Sequence, residues 1–343
     1  MKRLLSPSEL ARAVGVSESS LKRWVDEGRI KASRTAGGHR RIPISEAIRL
    51  IRQTGLPLRH PQMLGLPDLP AVNGQKVIEP ADAAAMLHDA LVGGDQATVH
   101  ALVMAAFLDG RSLAELCDDL IGAAMRKIGA LWTRGSRGIY IEHRATDLCS
   151  HALQSLRALI PRPDASLSPT SEGSTAADSS AAGATEAGAA SRPAPKGDAP
   201  PREGSEPVGA AAPTALGGAA GGDQHTLASL MAAVVLAGEG FREINLGGDT
   251  PLPILSEAAR INRACLVWVA MNAPRSSNEA ARLARDIEQL AQSLPAPATH
   301  LVLGGNHVPP QSKRLSNTNV HHAGSMSELA AFARGLLASQ RFT

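Results

Sequence analysis

The sequence predicts a multidomain chain: an all-α winged helix-turn-helix module, a four-helix bundle, and an α/β domain on a doubly wound parallel sheet. Three observations carry this. Residues 1–60 hold thirteen of the chain's 35 Lys and Arg but only five of its 32 Asp and Glu, so a small basic module is joined to a mildly acidic body. Residues 82–160 place apolar side chains at helical spacing between turn-forming breaks. After residue 213, strand-like and helix-like stretches alternate, the pattern of a parallel sheet wrapped by helices.

Composition narrows the classes further. With 343 residues the chain has room for two or three domains, and at 43% hydrophobic but 2% aromatic its cores are built from aliphatic side chains. No uninterrupted apolar run approaches a membrane span, and the N-terminus lacks the long apolar core of an export signal, so the cytoplasm is the expected compartment and no membrane partner is expected. Cys117, Cys149 and Cys265 share no ligand spacing and are expected to be buried thiols.

In the basic module (1–60), "SPSEL" places Ser6 as a helix cap, Pro7 in the first turn and Glu9 to close a capping box. Leu10 and Val14 share a face, and Gly15 ends the helix. Ser17 caps a second helix in which Leu21, with Trp24 or Val25, faces inward while Ser19, Ser20, Lys22 and Arg23 face outward. Two short helices around a Gly-containing turn form a helix-turn-helix, the second sized for a DNA major groove. "IKASRTAGGHRRIP" then reads as a hairpin with Arg34, His39, Arg40 and Arg41 about a Gly-Gly tip, suited to phosphate contact, and Ser45 is expected to cap the next helix. Double-stranded DNA is the expected partner.

A linker is expected over 61–81. In 82–160, "GGD" and "DGRS" separate helices, with Asp95 and Ser112 as caps; the corner "WTRGSRGIYIEH" lies between the last two helices. Residues 161–213 are Ala, Gly, Ser and Pro without periodicity, too poor in large apolar groups to offset chain entropy, and are expected to be a disordered tether. From 214 to 343 the expected order is a weak Gly- and Ala-rich strand, a glycine-rich loop, a helix from about Thr226, then "FREINL", "PILSEAARIN", "CLVWVAM", "NEAARLARDIEQLAQSL", "HLVLGG" and a last helix "SMSELAAFARGLLASQ". Ligand loops are expected at the C-terminal ends of the strands. In the first of them, "GGDQHTLA", Asp223 could hold one nitrogen of His225 and leave the other for a metal; a surface residue or helix cap is the plainer reading of the same histidine.

Leu5 to Ile51, above all "RWVDEGRIKASRTAGGHRRI", resembles the MerR-type winged helix-turn-helix modules. Residues 82–340, a helical bundle followed by an α/β domain opening with Asp-x-His, resemble flavodoxin-like cobalamin-binding modules. That resemblance implies His225 as the lower axial ligand of cobalt, Asp223 as its orienter, and Gly304 and Gly305 as lining of the cleft for the nucleotide tail. Trp132 followed at a set spacing by Glu142 and His143 is similar to the light-sensing, adenosylcobalamin-dependent repressors of the CarH type; it implies that these three cover the upper axial adenosyl group, the tryptophan by apolar contact and the carboxylate through ribose hydroxyls. The sequence departs from the family pattern at Ala228 in place of a glycine, at Ala270, Met271 and Asn272 in place of Ser-x-Leu, and at Thr133 in place of a histidine.

Three functions follow as expectations. The first is a non-enzymatic transcriptional regulator whose pairing into dimers or tetramers, and hence DNA binding, is set by adenosylcobalamin and light. The second keeps the regulator but replaces the cofactor by another ligand or a protein partner. The third, a corrinoid-carrying enzyme subunit, is disfavoured by the DNA reader in the same chain.

Overall fold

The computed structural model describes residues 4–66, 80–130, 135–161, 212–295, 299–315 and 319–340. Residues 162–211 of the expected tether and 67–79 of the expected first linker therefore lie outside the described residues, as do Trp132 and Thr133.

The basic module opens with a two-residue strand, β1 (Leu4–Leu5), and α1 (Pro7–Val14). Ser6 accepts from the Glu9 N–H at 3.2 Å while Glu9 accepts from the Ser6 N–H at 2.7 Å, the expected capping box. α2 (Glu18–Asp26) is capped by Ser17, and Leu10, Val14 and Leu21 are buried with Ile42 and Ile48. β2 (Ser33–Arg34) pairs with β3 (Arg40–Pro43), whose far end pairs with β1 to give a three-stranded antiparallel wing. α3 (Ile44–Thr54) starts earlier than expected: Pro43 is its cap with no side-chain bond, so Ser45 does not cap it. β3 runs straight into the helix, and the ring-fixed φ of Pro43, −60°, makes the turn without a polar cap.

Four helical rods follow. They are α4 (Pro80–Gly93), α5 (Gln96–Leu108), an interrupted third rod, and α8 (Ser136–Arg157). Asp95 accepts from the Thr98 N–H and Ser112 from the Glu115 N–H, both as expected. The third rod is α6 (Leu113–Glu115), a wider π segment (Leu116–Ile121) and α7 (Gly122–Gly129). Its apolar spacing looked like plain α-helix, so the π segment carried no signal in the sequence. Leu87, Leu91, Met104, Leu116, Leu120 and Leu153 fill the space between the rods. Cys117 and Cys149 are buried as expected, and burial pushes the Cys149 thiol up to about 12. Cys265, at the start of a sheet strand, is only half-buried, against expectation.

The α/β domain has five parallel strands in the order β5-β4-β6-β7-β8. They are β4 (Thr214–Ala219), β5 (Arg242–Asn245), β6 (Leu266–Ala270), β7 (His300–Gly304) and β8 (Val320–Ala323). The helices are α9 (Thr226–Gly238), α10 (Leu252–Asn262), α11 (Ser277–Ser293) and α12 (Met326–Gln340). The strand expected to be weak, β4, is buried along its whole length between β5 and β6. Its glycines are required there: a Cβ on Gly217 would come within 2.2 Å of the Trp268 carbonyl and 2.3 Å of the indole, so the neighbouring tryptophan supplies the volume that the glycine lacks. β8 was not expected, because "VHHA" has two histidines and no β-branched run; it forms by adding to the edge of β7.

Three polar clasps join the layers. Arg157 of α8 makes a two-pronged pair with Glu243 of β5, both bonds 2.6 Å. Asp118, in the π segment, accepts from the Met326 and Ser327 N–H groups at 2.9 Å each and so caps α12. Arg52 of α3 lies over the Phe107 ring, 3.9 Å from its centroid, and donates to the Phe107 carbonyl in the last turn of α5 and to the Arg111 carbonyl just past it.

Candidate cofactor and nucleic-acid sites

The residues expected to face DNA lie on α2 and on the wing. Ser19 and Ser20 lie in the first turn of α2, their hydroxyls 3.0 and 2.8 Å from that of Ser17. Lys22 and Arg23 are exposed on the same helix, each near a glutamate one turn away, Glu18 at 2.8 Å and Glu27 at 3.7 Å. The wing turns at Gly37 and Gly38, closed by Gly38 N–H to the Thr35 carbonyl, with Arg34 and His39 exposed and Arg40 and Arg41 half-buried. Asp26, at the end of α2, receives Arg40 at 2.6 Å and approaches Arg34 at 3.9 Å. That carboxylate ties wing to helix and was not anticipated from the sequence. A basic hairpin three turns of sequence after an acidic helix end is the signal that could have found it.

The sheet order places the second site. Connections from β4 and β6 leave in opposite directions, so the crevice outside their C-terminal ends is where such a sheet accepts a ligand. Asp223 and His225 follow β4, and Asn272 follows β6. Asp223 is fully buried. Its Oδ1 accepts from the His225 N–H at 2.9 Å and lies 2.8 Å from His225 Nδ1; its Oδ2 accepts from the Asn272 and Ala273 N–H groups. Burial alone would raise this carboxyl, but the N–H donors of Asn272, His225 and Ala273 outweigh it and hold the group below the ordinary carboxylate value. An acceptor-only carboxylate on Nδ1 makes that nitrogen the protonated one and leaves Nε2 with its lone pair free, the form in which imidazole ligates a metal. The His225 side chain is 44% exposed at the start of α9, so this lone pair is accessible.

Beside the dyad lies a cavity of about 460 Å³ between α9, the ends of β6 and β7, the start of α12 and the third rod of the bundle. Ala228, Trp268, Asn272, Gly304, Gly305 and Met326 are among its lining residues. Gly305 has φ +111°, and a Cβ there would strike the Met271 backbone at 2.3 Å. The expected Gly-Gly pair thus lets this turn pack against the Met271 backbone. Asn272 Oδ1 accepts from the Asn306 N–H at 3.3 Å, while its Nδ2 is buried without a hydrogen-bond partner among the described residues. An orphaned buried amide of this kind costs about 1–3 kcal/mol.

Asp223 and His225 adjoin this cavity without being among its lining residues, and the expected upper-face residues of α8 stand apart from it. Glu142 is mostly buried on α8 and accepts from the Thr146 hydroxyl at 3.1 Å, and its other oxygen is 3.6 Å from His143 Nε2. His143 is 72% exposed. Neither lines the cavity, and Trp132, expected to join them, lies outside the described residues.

Comparison with known proteins bears on both sites. Residues 4–55 match the family model described as a helix-turn-helix domain, and residues 83–157 match the one described as a B12 binding domain. No curated protein matches the chain. Among solved structures, the monomethylamine corrinoid protein of Methanosarcina barkeri is 14% identical over 74% of this chain and 98% of its own, with a TM-score of 0.48. A cobalamin-binding protein of Desulfitobacterium hafniense is 14% identical over 78% of this chain and 100% of its own, with a TM-score of 0.31. For the methanol:cobalamin methyltransferase complex of Methanosarcina barkeri the values are 14%, 78%, 88% and 0.32. The chain therefore joins a helix-turn-helix domain to a B12-binding domain, and cobalamin is the cofactor these matches support. The residues present are compatible with it: an imidazole oriented by a buried carboxylate, beside a cavity that Gly304 and Gly305 help to line.

Proposed function

We propose that this chain is a transcriptional regulator in which bound adenosylcobalamin, altered by light, sets self-association and thereby DNA binding. The reading is carried by one observation, the His225 imidazole held by buried Asp223 at the crevice of the sheet, in a chain that begins with a DNA reader. When bound, the cofactor would supply a cobalt ion and a photolabile cobalt–carbon bond. Every other part of the device is protein. His225 would offer Nε2 to the metal, and Asp223 would fix its tautomer and orientation. Gly304, Gly305, Ala228 and Trp268 would enclose the tail; Trp132, Glu142 and His143 would cover the upper face. The clasp of Arg52 on the end of α5 links the reader to the bundle, so a shift of the bundle helices would reach α3 directly. Pairing of readers on an inverted site would supply the contact area that one short helix and a wing lack.

The test is an absorption spectrum of the full chain after loading with adenosylcobalamin in the dark and removal of free cofactor, repeated after green light, with DNA mobility measured in parallel. Retained corrinoid whose spectrum depends on His225 and changes on illumination, together with a light-dependent DNA shift, is the expected result. Colourless protein that still binds DNA would favour the second reading, a regulator answering to another ligand. Ala228 is the observation on its side, because its methyl group is in the cavity wall where the resembled family has glycine.

A further inference from the structure

A second group of ligand-type side chains lies toward the opposite end of the sheet from His225. His300 opens β7, and His321 lies on the edge strand β8 in register with Val302. Both rings pack on Phe332 of α12, with centroids 5.6 and 4.2 Å from it. His300 Nδ1 and His321 Nε2 come within 3.1 Å of each other. Gly304 is four residues further along β7, about 13 Å at the rise of a strand, so this pair is not part of the crevice.

Two imidazole nitrogens at this separation satisfy two chemistries. Without a cation, one ring donates its N–H to the other. With one, both lone pairs meet at the metal, because ligands about 2.0–2.1 Å from a zinc ion stand about 2.9–3.4 Å apart at octahedral to tetrahedral angles. The change asks only that the donating ring carry its proton on its far nitrogen instead. Burial holds both rings below the ordinary histidine value, which keeps them neutral with lone pairs to give. The rings stand on adjacent, hydrogen-bonded strands and are braced by one aromatic side chain, so little order remains to be imposed. Both are half-buried, which leaves access from water. Among the described residues no third His, Cys, Asp or Glu joins them, so water would complete the shell. Imidazole donors suit zinc, copper or nickel and not magnesium or calcium.

We propose that His300 and His321 form a site for a late first-row divalent metal ion such as zinc, which bridges the edge strand β8 to β7. The site is independent of the cobalamin reading. β8 has no strand signature of its own, pairs on one side only, and leads through Gly324 and Ser325 into α12. A metal bridge would hold this edge from the side-chain face as well as from the main chain.

The experiment titrates zinc ion alone into the full chain, stripped of metal and free of corrinoid, and follows the heat of binding. Wild type is compared with His300→Gln and His321→Gln, which keep a polar side chain and lose the imidazole, and with His322→Gln as the neighbouring control. Wild type and His322→Gln are expected to bind one equivalent. Each of the other two variants is expected to lose at least the roughly 10–100-fold in affinity that removal of even an outer-shell partner costs. Urea unfolding supplies a second reading, because a metal that binds only the folded chain raises the midpoint of wild type and not that of the two variants. A third needs no variant: histidines of wild type are carbethoxylated with and without zinc and mapped by peptide mass. Protection confined to His300 and His321 supports the site even where a glutamine variant fails to fold. Zinc retained equally by both variants, protection at other histidines instead, or no binding by wild type overturns the proposal, and each leaves the cobalamin reading untouched.

Discussion

The wing of the DNA reader and the loop that carries His225 both hold charged groups at a turn, in opposite ways. On the wing, Arg34 and Arg40 converge on an exposed aspartate, and the neighbouring helix pairs Lys22 and Arg23 with exposed glutamates. Pairs of this kind are worth little in water and weaken with salt, so a phosphate can displace the carboxylate at small cost. At the loop, Asp223 is removed from water and saturated by main-chain donors, and it holds its histidine with an oxygen that cannot turn away. The first arrangement suits exchange of partners along a polyanion. The second suits one ligand held in one orientation. Charge at a turn therefore says little about function until its burial is known.

Substitutions can break this contrast, and the largest effect belongs to the buried side. Asp223→Ala strands three main-chain N–H groups and the His225 ring, and is expected to cost about 2–4 kcal/mol of stability in urea unfolding. Asp223→Asn is expected to remove an acid-sensitive component: the folded carboxyl lies below its unfolded value, so its contribution is complete above about pH 4 and is lost as pH falls through the folded value. A wild type and Asn variant with parallel stability profiles between about pH 2 and 5 would contradict this. His225→Ala, by contrast, removes an exposed ring and is expected to change stability by less than about 0.5 kcal/mol while abolishing histidine-dependent corrinoid absorption.

Next comes Arg52→Ala, which leaves the Phe107 and Arg111 carbonyls without this donor and uncovers the Phe107 ring. Loss of about 1–2 kcal/mol is expected, seen as faster proteolysis between reader and bundle with little change in DNA affinity of the reader itself. Arg34→Ala or Arg40→Ala is expected to weaken binding to all DNA sequences and lower the salt slope by about 1, whereas Lys22 or Arg23 changes relax specificity. Smallest is Asp26→Asn, which frees both wing arginines and is expected to raise non-specific affinity about two- to threefold in low-salt gel shifts. A fall instead would mean that the aspartate holds the wing in its binding shape.

The local rules were readable because the residues that obey them act alone. Ser6 with Glu9, Ser17, Asp95 and Ser112 each cap the helix their spacing indicates, and the Asp223–His225 contact spans two residues. What escaped notice depends on partners distant in the chain. Gly217 weakens a strand by propensity and strengthens it once Trp268 covers it. β8 has no strand signature and exists because β7 offers an edge. Asn272 stands where the resembled pattern has a leucine, and only its hydrogen bonds to Asp223 and Asn306 show that it joins the loop of His225 to the turn after β7. Ser45 misled because a cap needs a break in the chain before it, and β3 leaves none.

The π segment in the third rod has a mechanical consequence. A wide turn of this kind amounts to one surplus residue in an α-helix, which turns everything beyond it by about 100° relative to what precedes it. Leu113, ahead of the segment, presses against Gly238 at the end of α9, and Asp118 within it meets α12, while Gly122, Met125 and Arg126 beyond it face the cavity. One rod is thus indexed to three neighbours at once, like a cam cut with an offset. Deleting a single residue between Leu116 and Ile121 would restore ordinary pitch and put the cavity face and the α12 cap out of phase, a length change with the effect of several point mutations.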